Sequence, residues 1–210
     1  MPPLPPPDPA HALAETRAWV ERAVIGLNLC PFAKGVQVKG LVRYALTRAT
    51  DAEGLRAALV EELRHLAATP ADQVETTVLV APWAMADFLA FNDFLAEADE
   101  AVAELGLEGE IQVASFHPDY QFADADADDI TNATNRAPWP TLHLIREDSI
   151  DRAVAAVPEA DAIYEVNIAT LRRLGPEGWA ALQAQCRADA EAEAAAEGEA
   201  EDRGAPTPPP

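Results

Sequence analysis

Two hydrophobic periods alternate along the middle of this chain, and their alternation predicts its elements. Leu13, Val20, Val24 and Leu27 share one helical face, joined by Trp19 and Ala23. Asp8-Pro9 supplies an N-cap followed by proline at the first helical position. Gly26, Asn28 and Pro31 bracket the end of this helix, leaving Cys30 in the turn beyond it. Val36 to Leu46 reads as a strand, bent at Gly40. Thr50-Asp51-Ala52-Glu53 is a capping box, and Leu55, Leu59, Leu63 and Leu66 behind it define the buried face of a second helix. Thr76 to Val80 is a short apolar run between turn signals, the pattern of a central strand. Phe88, Phe91, Leu95, Ala98, Val102 and Leu105 form the longest stripe, a third helix closed by Gly106 and Gly109.

The period then returns to two. Ile111 to His117 is predicted as a strand with Ile111, Val113, Ser115 and His117 on one face. Thr141 to Arg146 is the last strand, with Leu142 and Leu144 facing away from Thr141, His143 and Ile145. A long loop joins the two, with one short helix near Asp129 to Asn135. A loop of that length inside a compact domain is usually functional or disordered, and its aromatics and prolines argue against disorder. Helices follow: one with Ile150, Val154 and Val157, one with Ile163, Asn167, Leu171 and Leu174, and, after Gly175-Pro176, one with Trp179, Leu182 and Cys186.

The fold class is therefore α/β: a single domain with a leading helix, a βαβαββ core with a partly parallel sheet, and a helical C-terminus. Residues 1–8 form a proline-rich arm expected to be disordered, residues 9–187 the domain, and residues 188–210 an acidic Ala/Glu and proline tail.

Composition narrows the function. Thirty-six acidic against 15 basic residues give a formal net charge of −21. Such a chain repels nucleic acid and anionic membranes, and no Lys/Arg cluster overrides the mean field. No run approaches the ~20 apolar residues of a membrane span. Cys30 and Cys186 are far apart and lack metal-ligand spacing, so a disulfide framework is not expected. The N-terminus has neither the basic nor the apolar region of a secretory signal, and a cytoplasmic location is the expectation. Oligomeric state is left open.

Candidate chemistry concentrates between Ser115 and Glu147. Polar groups cost free energy to bury, so a dense polar cluster beside apolar strands requires an explanation. His117 stands at a strand end, a position from which it could act as base to Cys30 as a nucleophile; His143 is the other candidate partner. Arg136, between Asn132 and Asn135, is placed to clamp a carboxylate or phosphate, with Arg146 nearby, which points to a small anionic ligand. Three readings stay open. In the first, an enzyme uses Cys30 or His117 on an anionic metabolite held by Arg136, with Asn135 and His143 orienting it. In the second, a non-catalytic ligand-binding or interaction domain uses these groups only to hold the loop. In the third, a metal-dependent enzyme uses His117, His143 and a loop aspartate. No Walker loop, dinucleotide fingerprint, Gly-x-Ser-x-Gly elbow or zinc ribbon is present, so the cofactor is unknown.

Four segments resemble the bacterial domain-of-unknown-function family 1415. They are Ile25 to Lys34, Asp87-Phe88-Leu89 with Asn92-Asp93-Phe94-Leu95, Gln112 to Phe122, and Asn132 to Glu147. The resemblance spans roughly residues 10–180. It implies a cytosolic protein of a family without an established activity, so no catalytic residue is carried over. The family's typical Asn-Arg-Ser-Pro-Tyr-Pro is here Asn135-Arg136-Ala137-Pro138-Trp139-Pro140, and Asp124 stands where glycine is common. No role can therefore rest on a hydroxyl at position 137 or a phenol at position 139.

Overall fold

A computed structural model describes residues 8–156 and 162–204. Its elements, in order, are α1 (Pro9–Trp19), a π-helical turn (Val20–Ile25), α2 (Ala33–Val38), β1 (Val42–Leu46), α3 (Ala52–Ala68), β2 (Thr76–Val80), α4 (Phe88–Glu104), β3 (Ile111–Phe116), a 3-10 helix (Ile130–Asn135), β4 (Thr141–Arg146), α5 (Glu147–Ala156) and α6 (Ile163–Gly204). The expected arm at 1–7, Val157 and the last residues of the tail lie outside the described residues.

The four strands are ordered β1-β2-β4-β3. β1 and β2 are parallel, while β4 lies antiparallel between β2 and β3. Both crossover helices step the same way across the sheet. Right-handed crossovers then place α3 and α4 on one face, where they close a dry core. Leu55, Leu59, Leu63 and Leu66 of α3 and Phe91 of α4 are fully buried there against Leu142 and Leu144 of β4. Asp51 and Asp87 cap the two helices by accepting from the amides of Gly54 and Ala90. The opposite face carries α1, its π turn, α2 and α6, with Trp19, Leu171 and Trp179 in a second core. The chain is thus a single mixed α/β domain of three layers.

One expectation needs correction. The stretch Val36–Leu46 is not one strand, because its first part is α2 and only Val42–Leu46 joins the sheet. Gly40 has φ +68, a left-handed residue that ends α2, and the Leu41 amide returns to the Val36 carbonyl at 3.1 Å. Val36 and Val38 imitate a strand because β-branched residues occur in both environments. Residue 187, the expected end of the domain, lies inside a helix. α6, broken once at Gly175 (φ 71), runs through that position. Ala190 is fully buried, Asp189 forms a two-pronged pair with Arg22, and Glu193 pairs with Arg17 at 3.0 Å. Alanine-rich sequence shows little periodicity, so this packed surface was invisible in the pattern.

Ending the chain at residue 187 removes the buried Ala190 turn. We expect this to lower stability by about 1 kcal/mol or more, read as a reduced denaturant midpoint. An unchanged midpoint would mean that these turns do not support α1.

Candidate functional site

The polar segment after β3 is bonded to itself. His117 is fully buried, with its ring against Phe88 and Phe91. Its Nε2–H donates to the Met85 carbonyl at 2.9 Å, and its Nδ1 accepts from the Asp119 amide at 3.0 Å. Both ring nitrogens are therefore occupied. Burial pulls its pKa below the usual histidine range, against the opposing influence of the Met85 carbonyl, Asp119 and Asp87. Met85 has φ 58, uncommon for a side-chain-bearing residue, so the His117 contact fixes an unusual turn after β2.

The asparagines and arginines do similar work. Asn132 accepts from the Phe122 amide at 3.0 Å and donates to the Asp126 carbonyl at 2.8 Å. Asn135 donates to the Ser115 carbonyl at 3.3 Å. Arg136 binds two loop carbonyls, Tyr120 at 3.1 Å and Ala127 at 2.7 Å. Arg146 reaches away from the loop and donates to the carbonyls of Leu66 and Thr69, tying down the C-terminal end of α3. These side chains supply donors to the carbonyls of a long loop.

A larger open space lies over the sheet. A cavity of about 550 Å³ sits between the second face of the sheet and the N-terminal helical layer. Its floor comes from side chains of one parity: Val42 on β1, Thr76 and Val78 on β2, Ala114 and Phe116 on β3, and Thr141, His143 and Ile145 on β4. Its roof is Trp19, Val20 and Val24, the Cys30–Ala33 turn and Val36. Glu75, Ser149, Ile150 and Arg152 also line it, and Arg152 bonds Ser149 Oγ at 3.0 Å and Glu75 at 3.4 Å. Trp19 stands edge-on to Phe116, with centroids 5.4 Å apart, and spaces the layers. Small residues at Thr76, Val78 and Ala114 leave the volume beside that pillar unfilled. A ligand site was expected where the C-terminal strand ends meet the 118–140 loop. Pro118, Arg136, Ala137 and Pro138 of that loop line a hollow of about 210 Å³ against α1 and α6, and the space of about 550 Å³ opens over the sheet face.

Cys30 and His143 are brought to this one cavity. His117, Asn132, Asn135, Arg136 and Arg146 are not among its lining residues. Thr76 Oγ1 donates to the Leu144 carbonyl at 2.6 Å, so its 2.7 Å contact with His143 Nε2 must use the histidine's hydrogen. The imidazole is therefore the Nε2–H tautomer. Burial lowers its pKa to about 4. Cys30 is half-buried, and burial pushes its thiol up, partly offset by the Phe32 and Ala33 amides. Desolvation thus favours the neutral form of both groups, the reverse of a thiolate–imidazolium pair. The floor residues Thr76, Val78, Ala114 and Phe116 escaped sequence reasoning. Their only signal was shared strand parity with His143, which has no meaning until the strand order is known.

A three-layer α/β domain with a hollow on one sheet face is the class these features define. The chain belongs to the family described as Protein of unknown function (DUF1415), whose model matches residues 11–181. Neither the curated proteins nor the solved structures include a match to this chain. Among the described residues, no helix is long and apolar enough to cross a membrane.

Two outcomes follow from this geometry. Arg136→Ala removes two hydrogen bonds to loop carbonyls and should cost on the order of 1–2 kcal/mol, measured by denaturant melts. A cost under about 0.5 kcal/mol would mean that the loop does not rely on the arginine. His143 has a folded pKa of about 4 and an ordinary value of 6.5, so the unfolded chain binds more protons between these limits. Stability present above pH 6.5 is then lost as pH falls toward 4, with His143 contributing roughly 2–3 kcal/mol across that window. His143→Phe should flatten the stability slope between pH 6.5 and 5, where few carboxylates titrate.

Proposed function

We propose that this protein is a small-molecule-binding domain that takes a largely apolar ligand between its sheet and its N-terminal helices, without catalysis. The observation that carries the reading is the cavity: about 550 Å³, walled mainly by valine, alanine, isoleucine and aromatic side chains, with a few polar groups. That size and chemistry fall within the ordinary range for sites that enclose organic ligands. The polar loop supports the same reading from the other direction. Its asparagines, His117 and Arg136 hold backbone groups, a role that needs no ligand. Within the cavity, Arg152 is the one lining cation among the described residues, and Glu75 accompanies it. An apolar guest needs no counter-charge, whereas an anion held there would have to overcome the field of a chain with net charge −21.

The neutral dye N-phenyl-1-naphthylamine tests the proposal. Its emission should shift to the blue and saturate at one dye per chain. Ala114→Phe should abolish that response while the melting midpoint holds or rises, because the new ring fills the void from a strand position. Dye binding that does not saturate, or that persists in Ala114→Phe, would show that the cavity is not the site.

A further inference from the structure

The cavity is apolar except for a few groups, and the arrangement around His143 says what kind of molecule it is shaped to hold. His143 projects from the middle of β4, directly opposite Val78 on one side and Ala114 on the other. Neither neighbour can hydrogen-bond through its side chain. Thr76 has a single hydroxyl proton, and the Leu144 carbonyl, 2.6 Å away, takes it. The 2.7 Å contact between Thr76 Oγ1 and His143 Nε2 therefore runs from the ring to the hydroxyl. This leaves the proton off Nδ1, whose lone pair is an acceptor, and among the described residues no donor is bonded to it. The other polar groups lining the cavity are the Cys30 thiol and Thr141, whose hydroxyl donates to the Trp139 carbonyl at 2.8 Å, with Glu75, Ser149 and Arg152 joined to one another.

We infer that the ligand of this cavity carries a neutral hydrogen-bond donor, a hydroxyl or N–H on an aromatic or alicyclic body, and that this donor is received by Nδ1 of His143. The inference rests on the binding function proposed above and specifies its chemical class. An unpaired acceptor flanked by Val78 and Ala114 in a mostly apolar cavity discriminates between guests. A guest that satisfies it gains a bond in a low dielectric, while a guest of equal shape without the donor leaves the acceptor dehydrated and unpaired. A carboxylate is disfavoured twice over, because it presents only acceptors to an acceptor and brings a charge into apolar surroundings. Thr76 acts as a positioning residue: by accepting a hydrogen bond from Nε2–H it fixes which nitrogen is left as acceptor for the guest, a second-contact role familiar from ligating histidines.

The test compares 1-naphthol with 1-methylnaphthalene, two molecules of nearly equal shape, each displacing N-phenyl-1-naphthylamine from the intact protein. Partition from water alone favours the methyl compound, so a featureless apolar cavity would bind it more tightly. The expected result is the reverse order, with 1-naphthol tighter by about tenfold. In His143→Phe the order should revert to favour 1-methylnaphthalene. That variant leaves Thr76 bonded to Leu144 and strands no donor. Nitrogen NMR of the wild-type ring gives a readout independent of any substitution. Nδ1 should resonate as an unprotonated ring nitrogen and shift on addition of 1-naphthol but not of 1-methylnaphthalene. Tighter binding of 1-methylnaphthalene to the wild type, or a dominant Nδ1–H tautomer, would overturn the inference while leaving the cavity as a binding site. If neither compound displaces the dye and neither binds directly, the binding function itself fails.

Discussion

The strictest constraint on this molecule is the double duty of β4. It lies inside the sheet, antiparallel to both neighbours, so each residue is committed to one face or the other. Leu142 and Leu144 go to the side of α3 and α4, where they are fully buried. Thr141, His143 and Ile145 go to the side of α1 and α2. A shift of one residue in register would drive His143 into a leucine core that offers it no partner, and would put two leucines into the cavity. The dry face and the hollow face therefore depend on the same six residues.

The two faces are built differently. On the dry face, leucines and phenylalanines at helical spacing meet the strands and leave little room. On the other, the helical layer is irregular. α1 passes into a π turn, then a left-handed Asn28 (φ 54), then the Cys30 turn. Gly26 is required there, since a Cβ would stand 2.3 Å from the Arg22 carbonyl oxygen. Widened helical turns of this kind occur often at functional sites. Here the turn leads into the residues that roof the cavity. α6 braces this layer from outside: Asn167 donates to the Leu29 carbonyl at 2.9 Å, and Asp189 pairs with Arg22.

Electrostatics and burial agree on the character of the hollow. Desolvation moves the thiol of Cys30 and the ring of His143 in opposite pKa directions, and both end neutral. Neutral groups suit an uncharged guest. The polar loop from His117 to Pro140 is held shut by its own side chains and closes one end of the sheet. It joins the β2–α4 turn to the exit of β3 through the His117–Met85 bond.

Much of this architecture was determined by the sequence itself. The stripe of α3, the bounds of β2 and β4, and the opposite facing of Leu142 and His143 follow from period alone, because side-chain direction repeats at 3.6 or 2 residues whatever surrounds it. In α4 the buried face also takes in Phe94 and Ala101, which the expected stripe left out. The family could likewise be read from long irregular segments. Other features depended on assembly. Val36–Val38 became helix because a left-handed Gly40 ended it. The turns after residue 187 packed because α1 lay beside them. The polar cluster was legible as residues but not as a role, since a buried carbonyl and a ligand call for the same donors. The cavity had no linear signature: Val42, Thr76, Ala114 and His143 lie on four strands and share a surface only once the order β1-β2-β4-β3 is set. A void is a property of how layers are spaced, and spacing is fixed by packing between segments distant in the chain.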